Sequence, residues 1–182
     1  MIRECLETSE IPPRVFNPTH VNRNKPLFEQ ACELSGFGCN VDLTAFPAAA
    51  DEQGWSAEEA VARYIDKGCD SSKLTISSDG GGCLPSFDAQ GELLKMGFAS
   101  CSAMAKCLKN LLDSGMSEAT VLPLITSNVA GLLKLKQKGR IEQGLDADLV
   151  VLDQANRVEH VMARGIWHLK DGRQLLSGLF EE

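Results

Sequence analysis

The 182-residue chain has room for one ordinary domain, or one domain with a small appendage, and is too short for a complete (β/α)8 barrel of about 250 residues. Its 43% hydrophobic and 24% charged residues argue for a folded soluble protein and against disorder. The net charge of −7, with 18 Lys and Arg spread without a basic stripe, argues against nucleic acid as a partner.

Ile2, Cys5 and Leu6 follow helical spacing with no capping residue before them. The pattern reads as the middle of a helix, as though the chain begins inside a larger one. Arg14–His20 is expected to form a short strand. Pro26 to Ser35 has Leu27, Phe28, Ala31 and Leu34 on one helical face, and Gly36 and Gly38 end it. Asn40–Phe46 is a second expected strand. Ser56 and Glu59 form a capping box for a helix that carries Ala60, Val61, Tyr64 and Ile65 and stops at Gly68. Lys73–Ser78 is a third strand, ending at Asp79 and a glycine run. Ser100–Leu112 is helical. A further helix starts near Ser117 and continues with a break to Leu133, with Pro123 in its first turns.

Strand and helix thus alternate three times, which predicts parallel strands with right-handed crossovers. All three strands are expected to be apolar on the faces turned into a barrel. The pattern changes near Lys134. Asp148–Asp153, Val158–Ala163 and Ile166–Lys170 read as strands, the last two flanking Arg164-Gly165, and Asp171-Gly172 marks a hairpin turn. The expected division is 1–133 and a β-rich 134–182. The second part has eight acids and eight bases, so the whole net charge lies in the first 130 residues.

Seven cysteines with no C-x-x-C pair read as reduced, buried thiols. The N-terminus lacks a signal-peptide pattern, and no apolar run approaches the roughly 18 residues of a membrane span. The expected location is cytoplasmic, with no membrane partner.

In a parallel α/β layout, functional groups gather at the C-terminal ends of strands. His20 and Asp79 both stand at such ends. A histidine there supplies a metal ligand or general base. Arg23, three residues later, suits bidentate capture of a carboxylate. The alternative for this stretch is a capping loop with a surface His and Arg. Asp79 could bind a metal and hold the proton of its bound water, and the following glycines allow close approach to the backbone. The rival readings are a flexible loop or a phosphate nest, but no G-x-x-x-x-G-K-[ST] pattern is present. Cys83 with His20 or His160 would make a cysteine hydrolase, although no thiol-protease signature surrounds it. His160 and His168 fall on sheet faces, with surface or packing roles.

Taken together, Pro18-Thr19-His20-Val21-Asn22-Arg23-Asn24 with Pro26-Leu27-Phe28-Glu29, Ser77-Ser78-Asp79-Gly80, and Gly144-Leu145-Asp146-Ala147-Asp148-Leu149-Val150-Val151 resemble the isoaspartyl dipeptidases of the amidohydrolase superfamily. The resemblance runs along nearly the whole chain. It implies an α/β fold: the last three units of a (β/α)8 TIM-type barrel, followed by part of a small β-sandwich. It also implies two zinc ions. The family's ligands are a His-x-His on the first strand, a carboxylated lysine on the fourth, histidines on the fifth and sixth, and an aspartate on the eighth. His20 matches the sixth-strand ligand. Asp79 matches the eighth-strand aspartate, which also handles the proton of the bridging hydroxide. Arg23 matches the arginine that holds the β-aspartyl carboxylate. Cys83 stands where relatives have a substrate-contacting serine, and its hydrogen bond would be weaker.

The chain has no His-x-His and no strand before His20 to carry the lysine or fifth-strand histidine. Two ligands remain of six. The expectation is the C-terminal portion of a metal-dependent enzyme hydrolysing small isoaspartyl peptides, inactive alone, with the missing N-terminal half or a homo-oligomer as partner. The alternative is a non-catalytic truncated remnant, which the genomic sequence upstream of Met1 would distinguish.

Overall fold

The computed structural model describes residues 1–46, 53–88 and 90–178, with the side chains of Ser86 and Phe87 left aside. Backbone contacts divide the chain into two compact units, Met1–Cys107 and Leu108–Glu182.

The first unit opens with α1 (Ile2–Thr8), which has no side-chain cap among the described residues. The expected strand Arg14–His20 is replaced by a 3-10 turn, Pro13–Val15, and an extended segment. That segment runs beside β1 (Val41–Thr44), with the N–H groups of Asn40 and Asp42 donating to the Phe16 and Pro18 carbonyls at 3.0 Å each. A parallel ladder would next need a donor at position 18. Pro18 has no N–H, so the ladder stays half-made.

α2 (Lys25–Gly36) is capped by Asn24, whose side chain accepts from the Leu27 N–H. α3 (Ala57–Asp66) has the full Ser56/Glu59 capping box. Both helices end in the same way. The N–H of Cys39 donates to the Leu34 carbonyl and that of Gly38 to Ser35, while Cys69 donates to Tyr64 and Gly68 to Ile65. These are Schellman endings, with glycine in the left-handed position (φ +96° at Gly38, +72° at Gly68) and cysteine next.

β2 (Leu74–Ser77) pairs parallel with β1, Asp42 opposite Thr75 and Thr44 opposite Ser77. Val41, Leu43, Leu74 and Ile76 are buried with Phe28, Ala31, Ala60, Val61 and Tyr64 of the helices; these form the apolar core. The alternate residues form a polar face, which corrects the expectation of strands apolar toward a barrel interior. Asp42 accepts from the hydroxyls of Thr75 (2.7 Å) and Ser77 (2.6 Å). This buried face survives because each polar group finds a partner.

β3 (Cys83–Phe87) and β4 (Leu93–Phe98) form an antiparallel hairpin that the sequence reading missed. β4 exposes Leu93, Leu94, Met96 and Phe98. α4 (Ala103–Asp113) follows.

In the second unit α5 (Glu118–Ile125) and α6 (Ser127–Leu132) meet at Thr126. Pro123 is inside α5, in its second turn as expected, and the break follows three residues later. β5 (Leu149–Leu152), β6 (Val158–Ala163), β7 (Ile166–Lys170) and β8 (Arg173–Gln174) make one antiparallel sheet in chain order. Arg164-Gly165 and Asp171-Gly172 all have positive φ, as two-residue hairpin turns of type I′ require. Lys138 pairs with Asp146 at 2.9 Å and with Asp148, and the Asp148 carboxylate also accepts from the Arg164 N–H at 2.7 Å. The two aspartates of the Gly-Leu-Asp-Ala-Asp stretch therefore hold the start of this sheet. Among the described residues no helix is long and apolar enough to cross a membrane.

Candidate active site

The site is built on the C-terminal edge of β1 and β2. His20 stands just before the 3-10 turn Val21–Arg23, with left-handed backbone (φ +58°). Its Nδ1 is hydrogen-bonded to the Thr44 hydroxyl, the last residue of β1. Asp79 follows β2 by two residues, also left-handed (φ +52°). Since the strands are parallel, both residues lie at the same edge of one sheet.

Arg23 joins the two halves. Its Nη2 donates to Asp79 Oδ2 at 2.8 Å, and its guanidinium lies 5.2 Å from the Phe46 ring centre. Arg23 Nε is buried and has no hydrogen-bond partner among the described residues.

Asn22, which nothing in the sequence singles out within Pro18–Asn24, is the turn's anchor. It is fully buried. Its Nδ2 donates to the carbonyls of Thr44 and Trp55 at 3.0 Å each, and its Oδ1 accepts from the Thr44 N–H at 2.9 Å. The Trp55 N–H returns to the Asn22 carbonyl at 2.7 Å. Gly54 makes this approach possible: a Cβ there would lie 2.7 Å from the Asn22 carbonyl oxygen and 2.9 Å from that of Arg23.

Glycine serves Asp79 likewise. The Gly82 N–H donates to the Asp79 carbonyl at 2.8 Å, and a Cβ on Gly82 would lie 2.7 Å from Asp79 Oδ1. The hairpin is tied to this loop by Gly81 N–H to Ala99 and Ala99 N–H to Gly82, both 2.9 Å.

Behind the edge lies Asp42. Burial pushes its carboxyl above the usual range, hydrogen bonds from Ser77 and Thr75 oppose the rise, and the charges of His20 and Asp79 act in opposite directions. Sequence alternation could have found it, because Asp42/Thr44 and Thr75/Ser77 recur at period two in otherwise apolar strands.

Cys83 opens β3 and is exposed. Among the described residues it forms no hydrogen bond with His20. His160 and His168 lie in the second unit. His160 accepts the Asp171 N–H at Nδ1 (2.9 Å) and packs edge-on against Trp167, in keeping with a packing role.

An imidazole and a carboxylate suit zinc, but a catalytic zinc takes three protein ligands. Among the described residues no three His, Cys, Asp or Glu side chains converge as a metal site. His20 and Asp79 therefore fit as part of a metal shell without completing one.

Residues 23–168 match the amidohydrolase family. The crystal structure of β-aspartyl dipeptidase from Fervidobacterium islandicum AW-1, in complex with β-Asp-Leu dipeptide, is similar at a TM-score of 0.87 and 33% identity over 98% of this chain and 45% of that one. A second structure of that organism's β-aspartyl dipeptidase gives 0.81 and 31%, over 98% and 44%. N-acetyl-D-glucosamine-6-phosphate deacetylase from Mycobacterium smegmatis gives 0.57 and 16%, over 93% and 48%, a likeness of fold alone. The chain spans less than half the length of each. The matched residues include Arg23 and Asp79 and strands β5 and β6, and the chain belongs to the amidohydrolase family.

Proposed function

We propose that this chain carries the C-terminal half-site of a metal-dependent isoaspartyl dipeptidase. Its strands and helices would be the last three units of a (β/α)8 barrel, and its tail sheet one layer of a β-sandwich. The observation that carries the reading is the meeting of Arg23 and Asp79 beside His20 at one strand edge. The β-aspartyl dipeptidase of Fervidobacterium supports it, at 33% identity over 98% of this chain.

In this reading His20 and Asp79 would be ligands to a zinc pair, and the remaining ligands would come from polypeptide outside these 182 residues. Zinc, when bound, supplies Lewis acidity and lowers the pKa of water. His20 offers Nε2, because Nδ1 is engaged with Thr44. Asp79 takes the proton of the attacking water on its carboxylate and delivers it to the leaving amine. Arg23 turns from Asp79 to the free carboxylate of the β-aspartyl group and orients the substrate. Cys83, on the hairpin beside the Asp79 loop, contributes a weak substrate contact. The cytoplasm is the expected location.

The test is to produce the chain together with an N-terminal part that supplies the His-x-His, the lysine and the fifth-strand histidine. Zinc-dependent cleavage of β-linked, but not α-linked, Asp-Leu is expected. If the reassembled protein folds and binds zinc but cleaves neither, the dipeptidase reading fails and the remnant reading stands.

A further inference from the structure

A second pair of reactive groups lies away from this edge, on the seam between α2 and α3. Along α2, Glu29, Cys32 and Ser35 recur every three residues and so share one face. Each meets a group at the end of α3. Glu29 pairs with Lys67 at 2.7 Å, the Cys69 thiol lies 3.9 Å from the Cys32 carbonyl oxygen, and the Ser35 hydroxyl bonds the Tyr64 hydroxyl. The Cys69 thiol is also among the groups that raise the Cys32 pKa, after burial itself. Cys69 cannot drift from this place, because its own N–H closes the Schellman ending of α3 on the Tyr64 carbonyl (3.2 Å). Cys32 is buried and Cys69 half-buried.

We propose that Cys32 and Cys69 are a preformed dithiol that closes to a disulfide under a glutathione-type oxidant, clamping α2 to the end of α3. Cys69, the more accessible sulfur, attacks one sulfur of oxidised glutathione. The glutathione S–S bond breaks, one glutathione thiolate leaves, and a mixed disulfide forms on Cys69. Cys32 then gives up its proton and its sulfur displaces the second glutathione thiolate, forming the Cys32–Cys69 bond. Two cysteines are oxidised, two glutathiones are reduced, and these take up the two protons. The order follows from burial, which with the neighbouring Cys69 pushes the Cys32 thiol up to about 12 and makes it the poorer first nucleophile. The proposal stands apart from the dipeptidase reading, since neither sulfur belongs to the strand edge.

The test incubates the native 182-residue chain with oxidised glutathione, then blocks free thiols and maps the cysteines by fragment-ion mass spectrometry. The expected product has lost two hydrogens and has Cys32 linked to Cys69. Its thermal midpoint is several degrees higher, and dithiothreitol reverses both changes. Cys32→Ser stops at a glutathione adduct on Cys69. Should that variant fail to fold, the mapping of the unaltered chain decides alone. The proposal is overturned if both thiols remain free to alkylation, if the unaltered chain stops at the mixed disulfide, or if the disulfide found joins other cysteines.

Discussion

Arg23 donates from Nη2 to Asp79 Oδ2 at 2.8 Å, joining the turn behind His20 to the loop that ends β2. The two side chains are about one-third exposed (32% and 28%), so water screens the pair and its stabilising effect is below about 1 kcal/mol. Arg23→Met should therefore leave the denaturant midpoint nearly unchanged. In a reassembled enzyme it should cut kcat/KM for β-Asp-Leu by roughly 100-fold or more, mostly through KM, because a charge-assisted substrate contact is lost. A large stability loss with normal KM would assign Arg23 to structure.

Asn22 makes three side-chain hydrogen bonds while fully buried. Asn22→Ala leaves the Thr44 N–H and carbonyl and the Trp55 carbonyl without these partners. The expected cost is about 2–4 kcal/mol, read from equilibrium unfolding in urea. A cost below about 1 kcal/mol would mean that the turn does not depend on this residue.

How much of this was legible in the residues follows from the kind of interaction involved. The helices were, because periodicity and the Ser56/Glu59 box are local signals, and both glycine endings fell where expected. The edge position of Asp79 was also legible, since order along the chain sets which end of β2 it follows, whereas His20 reaches the same edge through its bond to Thr44 and not by ending a strand. The anchor role of Asn22 was not, because its partners Thr44 and Trp55 are distant in sequence. The Arg14–His20 strand failed on a single missing N–H at Pro18. The hairpin of β3 and β4 was hidden by a glycine run that reads as a plain loop.

Gly82→Ala would place a Cβ 2.7 Å from Asp79 Oδ1 and 2.8 Å from the Asp79 carbonyl oxygen. The carbonyl is backbone and cannot swing away, so the loop must move. The expected cost is about 1–3 kcal/mol, with displacement of Asp79. Thermal unfolding of Gly82→Ala beside Gly81→Ala checks this. A Cβ on Gly81 would meet nothing within 4 Å among the described residues, but φ is +82°, so its penalty is backbone strain without displacement of Asp79, and a crystal structure of each variant distinguishes the two.

Asp42 sets a pH dependence of folding. Burial raises its carboxyl above the ordinary 3.8, so the folded state holds the proton more tightly than the unfolded chain. That contribution is fully present below the unfolded value and is lost as pH rises through the raised folded value. Asp42→Asn should remove it. Unfolding free energies measured from about pH 7 down to about pH 4 should show the unaltered chain gaining relative to Asp42→Asn as pH falls. A constant difference across that range would contradict the assignment.

In the proposed enzyme His20 and Asp79 would be two ligands of one metal site completed by residues outside this chain. Zinc content per protein, measured after removing excess metal, tests it most directly. A site shared in this way predicts no stoichiometric zinc on the 182-residue chain and two ions on the reassembled protein. It also predicts loss of at least one ion in each of His20→Ala and Asp79→Asn, with the fold retained by circular dichroism. Stoichiometric zinc on the chain alone, or full zinc in the reassembled His20→Ala, Asp79→Asn double variant, would contradict it.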